Sequence, residues 1–252
     1  MDFTNRTILI TGAASGIGLA TAEMLAAAGA KRLILTDIDA EALVRVRLRC
    51  TIDLVPGDVA DPAFWAEAAP YLGGLNHAVV NAGVAGAGAI AELDFAEWRR
   101  ILSVNLDGAF LTIQAALRAM TDHGVESGSI VAVSSAAGVK AEPGIAAYAA
   151  SKAALIQLVK VAAKEAAPRR IRVNAIAPAG VETPVWDAVP MFADRAAGVG
   201  RDAAFAELAA MATPLGRYAK ADEIARQIAF LLSDEAALIT GACLVSDGGY
   251  TL

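Results

Sequence analysis

Tyr148 and Lys152 stand four positions apart in the stretch YAASK, a pair of residue types able to move a proton. A free phenol titrates near ~10, so it is a weak base at neutral pH. A positive charge held close favours the phenolate and lowers that value. On an α-helix, residues i and i+4 share a face and lie about 6 Å apart along the axis. A helix through YAASK therefore sets the ammonium beside the phenol. Such spacings are also common on solvated helix faces, so the rest of the chain must show what the pair is for.

A second group is TGAASGIG, Thr11–Gly18, which follows an apolar run and opens a helical one. Gly12, Gly16 and Gly18 permit a tight turn and close backbone approach, with Ser15 and Ile17 between them. The helix N-terminus then offers free N–H groups and a partial positive charge to a pyrophosphate. Asp37 ends the run LILTD, 19 residues after Gly18. A carboxylate near this spacing binds the ribose hydroxyls of NAD and repels the 2′-phosphate of NADP. Neither Ser15 nor Ile38 supplies the cation that a phosphate would require, and Asp39 is the expected cap of the next helix. Asn81, Ala82 and Gly83 end another apolar run, and Asp58-Val59 follows a third as a candidate adenine clamp. All of these sit at strand ends on one edge, where open α/β sheets bind ligands.

The elements that must position them are β-branched apolar runs alternating with alanine-rich ones. Strands are expected at Thr7–Thr11, Leu33–Asp37, Ile52–Val55, His77–Asn81, Gly128–Ser134, Ile171–Ala177 and Ala242–Val245. Helices are expected at Gly16–Ala28, Pro62–Tyr71, Phe95–Asp122, Tyr148–Ala167 and Asp222–Leu232. Strands this apolar are covered on both faces. Repeated β-α-β units give a parallel, doubly wound Rossmann-type sheet of about seven strands with right-handed crossovers. VRVRLR (Val44–Arg49) alternates like a strand where the crossover requires a helix near Ala40–Arg47; a short helix is the expectation. Residues 1–252 are read as a single domain. The segment at about 185–212 is an expected substrate lid, with Trp186, Met191, Phe192 and Phe205 exposed on it.

Composition narrows the function. The chain has 252 residues, 56% hydrophobic and 19% charged, with a net charge of −6. This suits a large globular core. An acidic chain without a basic run argues against nucleic acid as a partner. The longest uncharged run, Pro70–Ala91, is too broken by glycine and polar residues to span a membrane. No secretory pattern opens the chain, so a soluble cytoplasmic protein is expected. Cys50 and Cys243 form no C-x-x-C pair, so no metal site or disulfide framework is expected.

TGAASGIG, Asp37, Asp58-Val59, NAG, Asn105 in SVNLDG, SSAAG, YAASK, NAIAPAGVET and the terminal VSDGGY occur together, in order, along the whole chain. In this the chain resembles a compact, NAD-dependent short-chain dehydrogenase/reductase. The resemblance implies hydride exchange between a nicotinamide and a secondary alcohol or ketone. It makes Tyr148 the general acid/base, and Lys152 the residue that lowers its pKa and binds the nicotinamide ribose. It makes Ser135 the hydrogen-bond partner of the substrate oxygen, and Asn105 the holder of a water in a proton relay. Pro178, Val181 and Thr183 match positions near the carboxamide. Ala179 departs from the usual Pro-Gly and adds a methyl group near the nicotinamide.

The resemblance also implies a small-molecule pocket between Ser135, Val139, Ile145, Tyr148, Ala179 and Trp186. This is largely apolar; a polyol or sugar becomes the alternative if Glu142, Glu182 or Asp187 faces inward. Relatives that reduce enoyl groups usually have a wider Tyr-to-Lys spacing. A non-catalytic NAD-binding sensor is the reading of another class, against which the complete Asn105, Ser135, Tyr148 and Lys152 set argues. Such chains often assemble as homotetramers.

Overall fold

The computed structural model describes residues 1–125 and 127–252. Its strands are β1 (Thr7–Thr11), β2 (Arg32–Thr36), β3 (Thr51–Leu54), β4 (His77–Val80), β5 (Gly128–Val133), β6 (Ile171–Pro178) and β7 (Cys243–Ser246). They pair in parallel as one seven-stranded sheet in the order β3-β2-β1-β4-β5-β6-β7. The order reverses between β1 and β4. A crevice opens at such a switch point, outside the carboxyl ends of the strands. The helices are α1 (Gly16–Ala27), α2 (Ala40–Leu43), α3 (Pro62–Ala68), α4 (Phe95–Leu102), α5 (Gly108–Asp122), α6 (Ala146–Ala166), α7 (Pro190–Val199), α8 (Arg201–Ala212) and α9 (Ala221–Leu232).

The strands are mostly apolar because alternate residues feed two cores. Leu9, Ala78, Val80, Ile130, Ala132 and Val173 pack with α3, α5 and α6. Ile8, Ile10, Leu33, Leu35, Val131 and Ile176 pack with α1 and α9 on the other face. Burying each of these branched side chains contributes roughly 1.5–3 kcal/mol. His77 is buried among them at the start of β4. Burial, with Arg6 and Arg172 nearby, lowers its pKa to about 3, so the ring is neutral.

Three segments differ in detail from expectation. The helix expected over Phe95–Asp122 is interrupted by a π-helical turn at Ser103–Asp107. The short helix expected near Ala40–Arg47 forms over Ala40–Leu43, its Asp39 cap accepting from the Ala42 N–H at 2.9 Å, and VRVRLR beyond it is neither strand nor helix. Phe192 and Phe205 are not exposed. They are 0% and 3% exposed, with ring centres 4.4 Å apart, in a small core with Tyr218 and the partly buried Trp186. This segment therefore has a core of its own, bent at Gly200 (φ +87°) between α7 and α8. Met191 is exposed, as expected. No described helix is long and apolar enough to cross a membrane.

Candidate active site

The glycine turn is built from β1 and β4 together. The Thr11 hydroxyl accepts from the N–H groups of Asn81 and Ala82 at 3.0 and 3.1 Å. The Asn81 amide donates to the carbonyls of Thr11 and Gly12 at 2.9 and 3.1 Å. Gly12 has φ +64° and Gly16 φ +53°, a region that side chains disfavour. A Cβ on Gly18 would come within 2.0 Å of the Gly12 carbonyl oxygen. Gly18 is thus the floor of the turn and does not line the crevice, contrary to expectation. Asp39, Asp61 and Asp94 cap α2, α3 and α4, whereas Ser15 makes no cap hydrogen bond and α1 has no acid in its first turn. The orphan amides of α1 remain for an anion.

Gly12, Ser15, Gly16, Ile17, Asp37, Asp58, Val59, Asn81, Ala82, Gly83, Tyr148, Lys152, Pro178, Val181 and Thr183 all line one cleft of about 640 Å³. The Asp37 carboxylate accepts from the Ala14 and Asp39 N–H groups at 2.9 and 3.0 Å, which fixes it at the tip of β2. Lys152 is the one lysine or arginine among the described residues lining the cleft.

The catalytic candidates converge from three elements. Ser135 follows β5 and caps the turn Ala136–Gly138 by accepting from the Ala137 N–H at 3.1 Å. Its hydroxyl neighbours that of Tyr148, on α6, and works against the upward shift of the phenol's pKa. One turn later, Lys152 is 4% exposed and donates from Nζ to the Val133 carbonyl at 2.9 Å. Burial lowers its pKa to about 8. Tyr148 is half-buried, and desolvation around its phenol raises the pKa above its ordinary value, opposed by the neighbouring Ser135 hydroxyl. The lowering by Lys152 expected from the four-residue spacing is therefore absent. The ammonium is turned toward the strand, 5.8 Å from the ring centre.

Asn105 is buried behind this group. Its Oδ1 accepts from the Val84 N–H at 2.8 Å, and its Nδ2 donates to the Val84 carbonyl and the Ser151 hydroxyl at 2.9 and 3.2 Å. Both amide hydrogens are thus used, while Oδ1 keeps a second acceptor position. A Cβ on Gly83 would lie 3.2 Å from the Asn105 Oδ1 and 3.3 Å from the Lys152 Nζ, so the backbone of the NAG turn packs over both.

At the other end, Ser135, Ile145, Tyr148, Ala179 and Trp186 line the cleft as expected. Val139 does not; it is 53% exposed on the loop beyond Gly138. The Trp186 indole is fixed by donating from Nε1 to the Val181 carbonyl at 2.9 Å and stacks on Tyr218 with centres 5.5 Å apart. Of the three acids considered, Glu142 faces the cleft, Glu182 is exposed, and Asp187 pairs with Arg201. Tyr218 and Tyr250 also line the cleft, although the sequence reading assigned neither to the site. Tyr250 had a signal in the terminal SDGGY. Tyr218 had none, because only the fold lays its ring against Gly180.

Known proteins resemble the chain over nearly its whole length. A family model described as enoyl-(acyl carrier protein) reductase matches residues 12–251. A cis-4-hydroxycyclohexanecarboxylate dehydrogenase of Sinomonas cyclohexanicum is 40% identical, over 99% of this chain and 98% of its own. A 2,5-dichloro-2,5-cyclohexadiene-1,4-diol dehydrogenase of Sphingobium indicum is 36% identical, over 99% and 98% of the two chains. Levodione reductase superposes with a TM-score of 0.86 at 33% identity, over 99% of this chain and 98% of that one. A short-chain type dehydrogenase/reductase from Mycobacterium marinum does so at 0.87 and 32%, over 99% and 97%. With its doubly wound sheet and this cleft, the chain belongs to the short-chain dehydrogenase/reductase family, whose members exchange hydride between a nicotinamide cofactor and an alcohol or carbonyl compound.

Proposed function

We propose that the protein is an NAD-dependent dehydrogenase that interconverts a secondary alcohol on a carbocyclic ring with its ketone. The observation that carries this reading is a single cleft lined by Asp37 and by the neighbouring Ser135 and Tyr148. The two relatives named above act on six-membered-ring alcohols, by their names.

The residues fit a dinucleotide. The uncapped first turn of α1 and the positive-φ glycines suit a pyrophosphate, and the fixed Asp37 carboxylate suits a diol. Asp37 favours NAD over NADP because a second negative charge at the ribose would face a carboxylate with no compensating cation. When bound, the nicotinamide supplies the acceptor or donor of hydride.

The chain's own groups do the rest. Ser135 hydrogen-bonds the substrate oxygen and steadies the charge that develops there. Tyr148 exchanges the proton at that same oxygen. Its raised pKa keeps the phenol protonated at neutral pH, ready to donate to a carbonyl being reduced. In the oxidative direction the phenol must first lose that proton, so alcohol oxidation gains from alkaline pH. Lys152, largely charged below about pH 8, binds ribose hydroxyls and holds positive charge behind the phenol. Trp186 and Met191 cover the apolar end of the cleft.

A homotetramer is part of the same reading. Phe110 on α5, Val161 on α6 and Val245 on β7 are 46%, 45% and 40% exposed, apolar positions that an assembly would cover. Light scattering at micromolar concentration tests it, and a monomer would remove it.

The activity is tested by nicotinamide absorbance with cyclohexanol and cyclohexane diols at mildly alkaline pH, with NAD and NADP in parallel. Reduction of NAD but not NADP is expected. NADH binding without turnover on any alcohol would instead favour a non-catalytic sensor.

A further inference from the structure

The loop that joins Ser135 to Tyr148 carries Lys140 and Glu142, and both reach the C-terminal turn. Lys140 Nζ donates to the Tyr250 carbonyl at 2.9 Å, lies 4.3 Å from the centre of its ring, and sits 3.4 Å from a Glu142 carboxylate oxygen. Burial and the neighbouring Glu142 carboxylate hold the Tyr250 phenol above its ordinary pKa, so the hydroxyl stays protonated beside that carboxylate. The turn that presents Tyr250 is itself fixed. Asp247 accepts from the Gly249 and Thr251 N–H groups at 2.9 and 2.8 Å, and Gly248 and Gly249 have φ +64° and +89°. The loop is anchored on its other side, where the Gly88 N–H donates to the Gly144 carbonyl at 2.7 Å.

Three acids line the cleft among the described residues: Asp37, Asp58 and Glu142. Asp37 and Asp58 follow β2 and β3, at the cofactor end. Glu142 stands alone at the substrate end, among Ile145, Val185, Trp186 and Met191. Lys140 does not line the cleft, so the group it presents there is the carboxylate. A carboxylate has about four acceptor sites, more than Tyr250 and Lys140 occupy. What it still lacks is a hydrogen-bond donor.

We propose that Glu142, oriented by Lys140 and Tyr250, is a specificity-determining residue that accepts a hydrogen bond from a second hydroxyl of the substrate. The preferred substrates are then ring diols, and a ring alcohol bearing a distal carboxylate is disfavoured by the like charge. This rests on the alcohol dehydrogenase reading above and names its substrate class. A hydroxyl donating to a carboxylate forms a charge-assisted bond, and a site built around such a bond rejects the analogue that leaves it unpaired.

The test compares kcat/KM with NAD for cyclohexanol, cyclohexane-1,2-diol, cyclohexane-1,4-diol and 4-hydroxycyclohexanecarboxylate. The wild type should favour the better diol over cyclohexanol by about 10-fold or more. Glu142→Gln and Glu142→Ala should collapse that ratio toward one, and Tyr250→Phe should lower it part of the way. Glu142→Gln should also raise the hydroxy acid relative to the diol, which a merely structural role would not do. Circular dichroism checks that each variant folds, and Glu142→Gln carries the test if the alanine variant does not. A wild-type ratio near one, or a ratio unchanged in Glu142→Gln, overturns the proposal while leaving the dehydrogenase reading intact. No NAD reduction with any of these alcohols, with NADH still bound, overturns that reading and this proposal with it.

Discussion

Lys152 Nζ donates to the Val133 carbonyl at 2.9 Å, and a Cβ on Gly138 would sit 2.8 Å from the Lys152 carbonyl carbon. The lysine is therefore held from both ends, its ammonium by β5 and its backbone by the turn after Ser135. The Ser134 hydroxyl adds a third tie by donating to the Lys152 carbonyl at 2.8 Å. Lys152, and with it the Tyr148–Lys152 pair, is positioned by the strand and turn that precede it, not by its own helix alone.

If Tyr148 exchanges the substrate proton, Tyr148→Phe keeps the packing and removes the acid/base group. We expect kcat to fall by about 10²–10⁴ with NADH affinity within a few-fold of wild type. Steady-state rates and fluorescence titration of NADH check both halves; a retained rate would reassign the base.

Lys152→Met should reveal the stability that the buried ammonium costs. The folded pKa is depressed from 10.5 to about 8, so between those values the unfolded chain binds the extra proton and stability rises with pH. The cost is fully present below about pH 8 and fades as pH approaches 10.5. The wild type should gain on the order of 1 kcal/mol per pH unit in that window relative to the variant. Urea unfolding at pH 7, 8.5 and 10 measures it, and parallel profiles would show that the lysine is not so perturbed.

Asp37→Ser combined with Ile38→Arg should exchange the repelling charge for an attracting one. We expect kcat/KM with NADP to rise by 10-fold or more relative to NAD, since close charge pairs shift affinities by a few kcal/mol at most. An unchanged ratio would mean that another group reads the ribose.

Gly138→Ala places a methyl group against the main chain of α6, where Lys152 and Ala153 backbone atoms lie 2.8–2.9 Å from the new Cβ. We expect a loss of about 1–3 kcal/mol and a reduced kcat, because the shift is passed to Lys152. Gly198→Ala, within α7 and with nothing in reach of its Cβ, should instead stabilise by about 0.5–1 kcal/mol. Thermal melts of the two variants in parallel give the contrast.

Much of this was legible before the fold. The glycines, Asp37, NAG and YAASK carry their meaning in local chemistry, and the strands carry theirs in unbroken apolar runs; β1 occupies the expected residues, Thr7–Thr11. What escaped depended on partners distant in sequence. Nothing local in VRVRLR says that α2 will stop at Leu43. Phe192 and Phe205 look exposed along the sequence until Trp186 and Tyr218 close round them. Val139 and Glu142 lie three residues apart on one loop, yet only Glu142 turns inward, because Lys140 and Tyr250 hold it. The Tyr148 phenol departs from its spacing for a related reason: a helix gives proximity, but burial acts more strongly on the phenol.

The π-helical turn at Ser103–Asp107 makes this stretch unusually intolerant of changes in length. One extra residue per turn offsets the angular phase of α5 from α4 by ~100°. Removing a single residue there would let the helices merge into one regular α-helix. It would also swing Asn105 off Val84 and Ser151 and rotate one helical face relative to the other. Substitutions along α4 and α5 can be absorbed one at a time. A one-residue deletion, harmless in most surface connections, would here reset the reading frame of a whole helix against the sheet.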